Sequence, residues 1–206
     1  LDIDNKILQN TASDLNIAFL NAPQFYPFLK KLAPIRKSLG IKTILNLLGP
    51  LLNPSEIDYQ LMGVYDRKYH PQLISVLRKL NRKSAMIVTG FDNADEISLS
   101  TDSYITEYRN GKIKQYTISP KVFGLNYVDI SKLQGKGPAY NAEKLLKLLS
   151  GEKSPYLDLV AMNTSAALYV MGYSKEINTA INDVYDIISS GKVLNKLKKI
   201  VKYTND

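Results

Sequence analysis

The stretch 60-QLMGVYDRKYHPQLISVLRKLNRKSAMIVTG-90 decides the fold class. Its first six residues, QLMGVY, form a short apolar run with strand character. His70-Pro71 then opens a segment in which Leu73, Ile74, Leu77 and Leu80 fall on one helical face. Pro stands at the helix start, where its missing N–H costs nothing. At 84–89, SAMIVT reads as a buried strand, and Gly90 ends it. Strand, helix, strand in this order predicts a right-handed crossover in a largely parallel sheet, and hence an α/β protein flanked by helices.

Upstream, residues 1–16 have helical character, in two short pieces with Ser13 or Asp14 able to cap the second. NIAFL (16–20) reads as a short buried strand. Pro27 and Pro34 divide 24–39 into short helices. Downstream, Asn110-Gly111 sits between two runs of β-formers across 104–118 and suits a tight hairpin turn, a β-hairpin insertion in the sheet. From 141 onward the chain reads as helices at 141–150, 155–171, 176–190 and 192–203, broken by Pro155, Gly172 and Gly191. Only three or so parallel strands emerge. That is few for a doubly wound sheet and suggests that part of the sheet lies elsewhere.

With 206 residues the chain can bury one good core or two small ones. No apolar run approaches the roughly 18 residues of a membrane span. LDIDNKILQN at the amino end lacks the basic region and apolar block of a signal peptide. It also lacks Met, which suggests a fragment or processed product. Having no cysteine excludes disulfides, thiolate metal sites and a Cys nucleophile, and fits the cytoplasm. A net charge of +8, from 27 basic and 19 acidic residues, attracts anions in general. Part of it lies in the tail GKVLNKLKKIVK, where Lys192, Lys196, Lys199 and Lys202 flank an apolar stripe. That pattern reads as a solvated helix face or as a nucleic-acid patch; the first is favoured because no aromatics alternate with the lysines.

The candidate chemistry is acidic. In FDNADEI (91–97), Asp92, Asp95 and Glu96 directly follow the buried strand 84–89. Ligands in open α/β sheets gather beyond the carboxyl ends of strands. Adjacent carboxylates there can share a hard cation such as Mg²⁺, which takes one or two of them plus phosphate oxygens and water; they also suit a polar loop. Arg36, beside the apolar LAPI, can fork onto a carboxylate or phosphate as Lys cannot, or can sit on the surface. Gly135-Lys136-Gly137-Pro138 fits no phosphate-loop pattern and reads as the loop before a helix. His70, the only histidine, has no second His or Cys to join it in a metal or catalytic role. In IKTILNLLGPLLNP (41–54), Gly49 is expected to let the backbone turn closely. Pro50 fixes the dihedral and offers a flat apolar surface, and Asn46 satisfies backbone groups freed by the break.

Four segments, FLNAPQFYPFLKKLAPIRKSLGIKTILNLLGPLLNP (19–54), QLMGVYD (60–66), DNADEISL (92–99) and MNTSAALYV (162–170), resemble the anthranilate phosphoribosyltransferase family. Their order and spacing fit, from about residue 13 to the end. The resemblance implies a nucleoside phosphorylase/phosphoribosyltransferase-like fold, with residues 1–206 as the carboxyl-terminal α/β region of a glycosyltransferase of tryptophan biosynthesis. About 21–41 would cross to the family's small helical domain. The family joins anthranilate to phosphoribosyl pyrophosphate with Mg²⁺, in a cytoplasmic homodimer with no membrane or nucleic-acid partner. By resemblance, Arg36 binds the anthranilate carboxylate, Pro50 lines the anthranilate site, and Asp95 and Glu96 hold Mg²⁺ on the diphosphate. No residue is assigned direct catalysis. Asn163 and Asn46 stand in family-like motifs as structural hydrogen-bonding groups.

Two departures stand out. Tyr26-Pro27 replaces the family's frequent His-Pro. The Gly-Thr-Gly-Gly-Asp loop and Lys-His-Gly-Asn segment, which bind phosphoribosyl pyrophosphate, occur nowhere in this stretch, so the 206 residues alone are expected to be inactive. Two rival readings are a pyrimidine nucleoside phosphorylase and a nucleic-acid-binding relative that has lost catalysis. The charge favours the second slightly. The 41–54 motif and Arg36 argue against the first, and retention of Arg36, Asp95 and Glu96 against the second.

Overall fold

A computed structural model describes residues 3–40 and 43–205; the side chains of Ala33, Arg36, Lys37, Leu39 and Asn205 lie outside that description. The chain forms two compact units, Leu1–Glu56 with Asn195–Asp206, and Ile57–Leu194.

The larger unit is built on a sheet of order β1-β2-β3-β4, with β1 Tyr59–Gly63, β2 Ser84–Gly90, β3 Ser103–Arg109 and β4 Lys112–Ile118. Helix α5, His70–Lys79, connects β1 to β2, and the two strands pair in parallel as the sequence predicts. The α/β class holds, but the sheet is mixed: β2–β3 and β3–β4 are antiparallel. The direction reverses because the expected hairpin joins the same sheet. At its tip Asn110 and Gly111 both take positive φ, 51° and 76°, as a two-residue turn matched to strand twist requires. All seven residues of β2 are buried, as befits a strand with neighbours on both sides and helices on both faces.

Those helices are α5 and α7, Pro155–Val170. His70 of α5 bonds Thr106, while Tyr169 of α7 bonds Glu107. Adjacent strand residues point to opposite faces, so the two helices cover opposite sides of the sheet. Ser154 caps α7, accepting from the Leu157 amide at 3.3 Å. Its Leu157, Leu159, Ala161, Met162, Ser165, Ala166 and Val170 are buried. Helices α6, Pro138–Leu149, and α8, Ile181–Ser189, pack beside it. Residues 135–137 form the loop expected before α6, but the helix begins at Pro138 rather than at 141, since Pro138 takes its first position. No helix among the described residues is long and apolar enough to cross a membrane.

The smaller unit departs more from the sequence reading. A single helix, α1 Asn5–Leu15, replaces two pieces, because Asp4 caps it through the Lys6 amide at 2.7 Å. Ser13 and Asp14 lie inside it. Asn16 ends α1 in the left-handed conformation with φ 54°. NIAFL is not a strand: it has no ladder partner, and Ile17 and Phe19 are exposed. Pro27 does separate α2, Ala22–Phe25, from α3, Pro27–Leu39, but Pro34 stays within α3. The helix continues although Pro34 has no N–H to give the Lys30 carbonyl. The tail helix α9, Lys192–Asn205, contributes Lys196, whose Nζ donates to the Leu15 carbonyl at 2.9 Å, and Tyr203, whose hydroxyl donates to Asp14. A cation at the carboxyl end of α1 also suits that helix's dipole.

His70 is fully buried in the larger unit. Thr89 donates its hydroxyl to the Val64 carbonyl, so it accepts from His70 Nε2 at 2.9 Å; Nδ1 then accepts from the Thr106 hydroxyl at 2.9 Å. Burial holds the ring neutral and lowers its pKa from 6.5 to about 4. Above pH 6.5 folded and unfolded chains both carry neutral His70. Below it the unfolded chain takes the proton first, so stability falls between pH 6.5 and 4, by up to about 3 kcal/mol. Urea unfolding across that range should show this slope, and His70→Gln should flatten it.

Candidate functional site

The acidic cluster sits where the sequence puts it, just beyond β2. The turn there is tight: the Asn93 amide donates to Gly90 O at 2.8 Å and the Gly90 amide to Ala94 O at 2.9 Å, with Asn93 at φ 63°. Asp92 holds the turn. Its Oδ1 accepts from the Ala94 amide at 3.2 Å, and its Oδ2 accepts from the Ser98 and Ser100 hydroxyls at 2.7 and 2.5 Å. Partial burial works against its charge, but the bonds from Ser100, Ser98 and Ala94 outweigh that and lower its pKa. Asp92 is therefore spent on structure, and the three-acid cluster reduces to two.

Asp95 and Glu96 are both exposed, and neither makes a hydrogen bond or ion pair among the described residues. The loop strips part of the hydration from Glu96 even though its surface stays open; repulsion from Asp95 and then Asp92 adds to this, and its pKa rises. Such a pair is relieved by a cation. Among the described residues no three His, Cys, Asp or Glu side chains converge as a metal-ligand set. The donor set fits a hard ion that takes two carboxylates and completes its shell with phosphate and water, as Mg²⁺ does.

Two other motifs fix this loop. A Cβ on Gly63, the last residue of β1, would fall 1.5 Å from the Asp95 carbonyl oxygen, so only glycine lets the loop rest there. From α7, Asn163 takes both backbone groups of Ile97: Oδ1 accepts from the Ile97 amide at 2.9 Å, and Nδ2 donates to the Ile97 carbonyl at 3.0 Å. Nδ2 also donates to Leu159 O at 3.0 Å. Asn163 thus has the structural role read from the sequence. Gly63 and the Ser98–Ser100 web were missed; a glycine inside an otherwise apolar strand was the available signal.

Asp95 and Glu96 share one loop of the larger unit, whereas Pro50 and Arg36 belong to the smaller unit. Pro50 is exposed in the short helical turn Gly49–Leu51, which follows α4, Leu45–Leu48. Arg36 lies on α3, and its side chain is outside the described ones. Gly49 is right-handed with φ −50° and open space where a Cβ would be, so the turn does not need glycine as expected. Nor does Asn46 serve the break: its Oδ1 accepts from the Thr43 amide at 3.0 Å, at the start of the same segment. Tyr26 follows α2 and meets Phe28 edge-on at 6.2 Å.

A four-stranded sheet with an acidic loop at the carboxyl ends of its parallel strands is the arrangement of a known class. The model of the glycosyl transferase family, a/b domain, matches residues 1–194, and the chain belongs to that family. Within it, the chain is similar to anthranilate phosphoribosyltransferases, as its motifs indicate. The Petrotoga mobilis enzyme is 41% identical over 198 residues, which cover 96% of this chain and 58% of that protein. A solved structure of the Saccharomyces cerevisiae enzyme in complex with PRPP and Mg superposes with TM-score 0.86 at 27% identity, covering 99% of this chain and 60% of that one. Another, in complex with 4-fluoroanthranilate, gives 0.86 at 28% identity, covering 95% and 58%. The chain thus spans little more than half the length of the proteins it matches.

Removing the clamp should be costly. Asn163→Ala leaves both Ile97 backbone groups without their partner and should lower stability by about 1–3 kcal/mol in urea unfolding. Gly63→Ala forces the loop off β1 and should cost a similar amount or more. Unchanged unfolding midpoints would show that the loop needs neither.

Proposed function

We propose that the protein carrying this chain transfers the phosphoribosyl group of phosphoribosyl pyrophosphate to the amine of anthranilate, as its relatives are named for doing. The support is the meeting of Gly63, the 92–97 loop and Asn163, three of the four motif segments, at the carboxyl ends of β1 and β2. In this reading a C–N bond forms at the anomeric carbon as the C–O bond to pyrophosphate breaks. Asp95 and Glu96 hold Mg²⁺, which when bound neutralises charge on the diphosphate. Arg36 forks onto the anthranilate carboxylate, and Pro50 offers a flat wall to the ring. His70, locked in the core between Thr89 and Thr106, takes no part. The intact enzyme in this reading is a cytoplasmic homodimer. The remaining length of its relatives supplies the glycine-rich loop, and the 21–41 segment crosses to a small helical domain.

In the full-length enzyme, Asp95→Asn with Glu96→Gln should raise the Mg²⁺ concentration needed for half-maximal turnover; an unaltered Mg²⁺ titration would remove the pair from the site. Arg36→Ala should cost roughly 2–4 kcal/mol, read as a loss of about 30- to 1000-fold in kcat/KM for anthranilate. The 206-residue chain alone should form no phosphoribosyl-anthranilate; detectable product would overturn the division of the substrate cradle proposed here.

A further inference from the structure

The hairpin carries the opposite charge at the opposite end of the sheet. Gly90 pairs with Ser103 and Ser84 with Arg109, so the tip of β3–β4 lies a strand's length from the acidic loop, roughly 20 Å. In the register, Glu107 faces Lys114 and Arg109 faces Lys112, which puts all four on the face covered by α7. Glu107 is 5% exposed, and tyrosine hydroxyls occupy both of its oxygens: Tyr169 donates to Oε1 at 2.8 Å and Tyr116 to Oε2 at 3.1 Å. The Arg109 guanidinium lies 4.4 Å from the centre of the Tyr169 ring, which fixes its position. Lys175, from the turn after α7, completes a cleft of about 530 Å³. No ion pair joins any of these four cations to a carboxylate among the described residues.

Four cations around one hollow repel one another, and the single carboxylate in its floor is already engaged. Lysines also protect exposed edge strands, but either face would serve that purpose. Here the other face of β4 carries Ile113, Gln115 and Thr117, and the charges sit only where they meet Lys175. Their ring-like convergence from three segments, in a hollow of small-molecule size, differs from the extended stripe that tracks a nucleic-acid backbone.

We propose that this cleft is an anion-binding site, separate from the acidic loop, for a compact ligand bearing at least two phosphate groups. Arg109 supplies a fork to one phosphate, and Lys112, Lys114 and Lys175 neutralise the other. Glu107 repels the anion from the floor and keeps it among the cations at the rim. The test is calorimetric titration of the 206-residue chain with inorganic pyrophosphate and inorganic phosphate, at low salt in EDTA. Pyrophosphate should bind saturably and more tightly than phosphate. Lys112→Gln with Lys114→Gln, and separately Lys175→Gln, should weaken it about tenfold or more. These three lysines are exposed, and circular dichroism should show the fold intact. Asp95→Asn with Glu96→Gln should leave the binding unchanged. Absence of saturable heat, or equal affinity in the lysine variants, would overturn the site. So would a single-stranded oligonucleotide that binds through the same lysines and is not displaced by pyrophosphate.

Discussion

A carbonyl oxygen occupying the space of a missing side chain sets the geometry of the larger unit. Asp95 rests its backbone on Gly63, and everything around that contact serves to keep it. Asp92 and its serines close the turn out of β2, and Asn163 reaches down from α7 to hold Ile97. Each hydrogen bond contributes only about 1 kcal/mol net. Together they order a loop that hydrophobic burial alone would leave undefined, since Ile97 and Leu99 anchor only its far end. The division of labour is clear: the polar groups that hold the loop are satisfied within the protein, while Asp95 and Glu96 remain exposed and mutually repelling.

The sequence was legible where periodicity and local turn chemistry decide structure. The β1–α5–β2 order, the Asn110-Gly111 turn and the carboxyl-terminal helices all follow from residues within a dozen positions of one another. It misled where the answer is tertiary. NIAFL has a strand's composition but no neighbouring strand to pair with, and Pro34 lies in a helix that tolerates the lost bond. The sheet's mixed direction depends on where the hairpin docks, which no local pattern records. The site shows the same split. An acidic cluster after a buried strand pointed to Asp95 and Glu96, whereas Gly63 matters only because a residue 32 positions later lies against it. Asp92 read as one more free carboxylate of the cluster and proved to be a brace, because Ser98 and Ser100 reach it across the turn.

Charge is sorted along the sheet. Carboxylates gather at the carboxyl ends of β1 and β2, and cations gather around the hairpin tip, a strand's length away. Between them lies the apolar strand β2, and His70, which bonds its Thr89, is kept neutral by burial. The chain's +8 excess is thus not spread evenly; part of its positive charge is concentrated in one cleft of the larger unit.

The buried middle strand has a consequence for motion. With ladder partners on both sides and a helix over each face, the amides of Met86, Ile87 and Val88 can reach solvent only when the whole unit opens. The loop that leaves this strand at Gly90 is surface-exposed and anchored by a handful of polar contacts. The slowest-exchanging backbone in the unit is therefore joined directly to a segment able to fluctuate on its own, a rigid post for a locally adjustable arm.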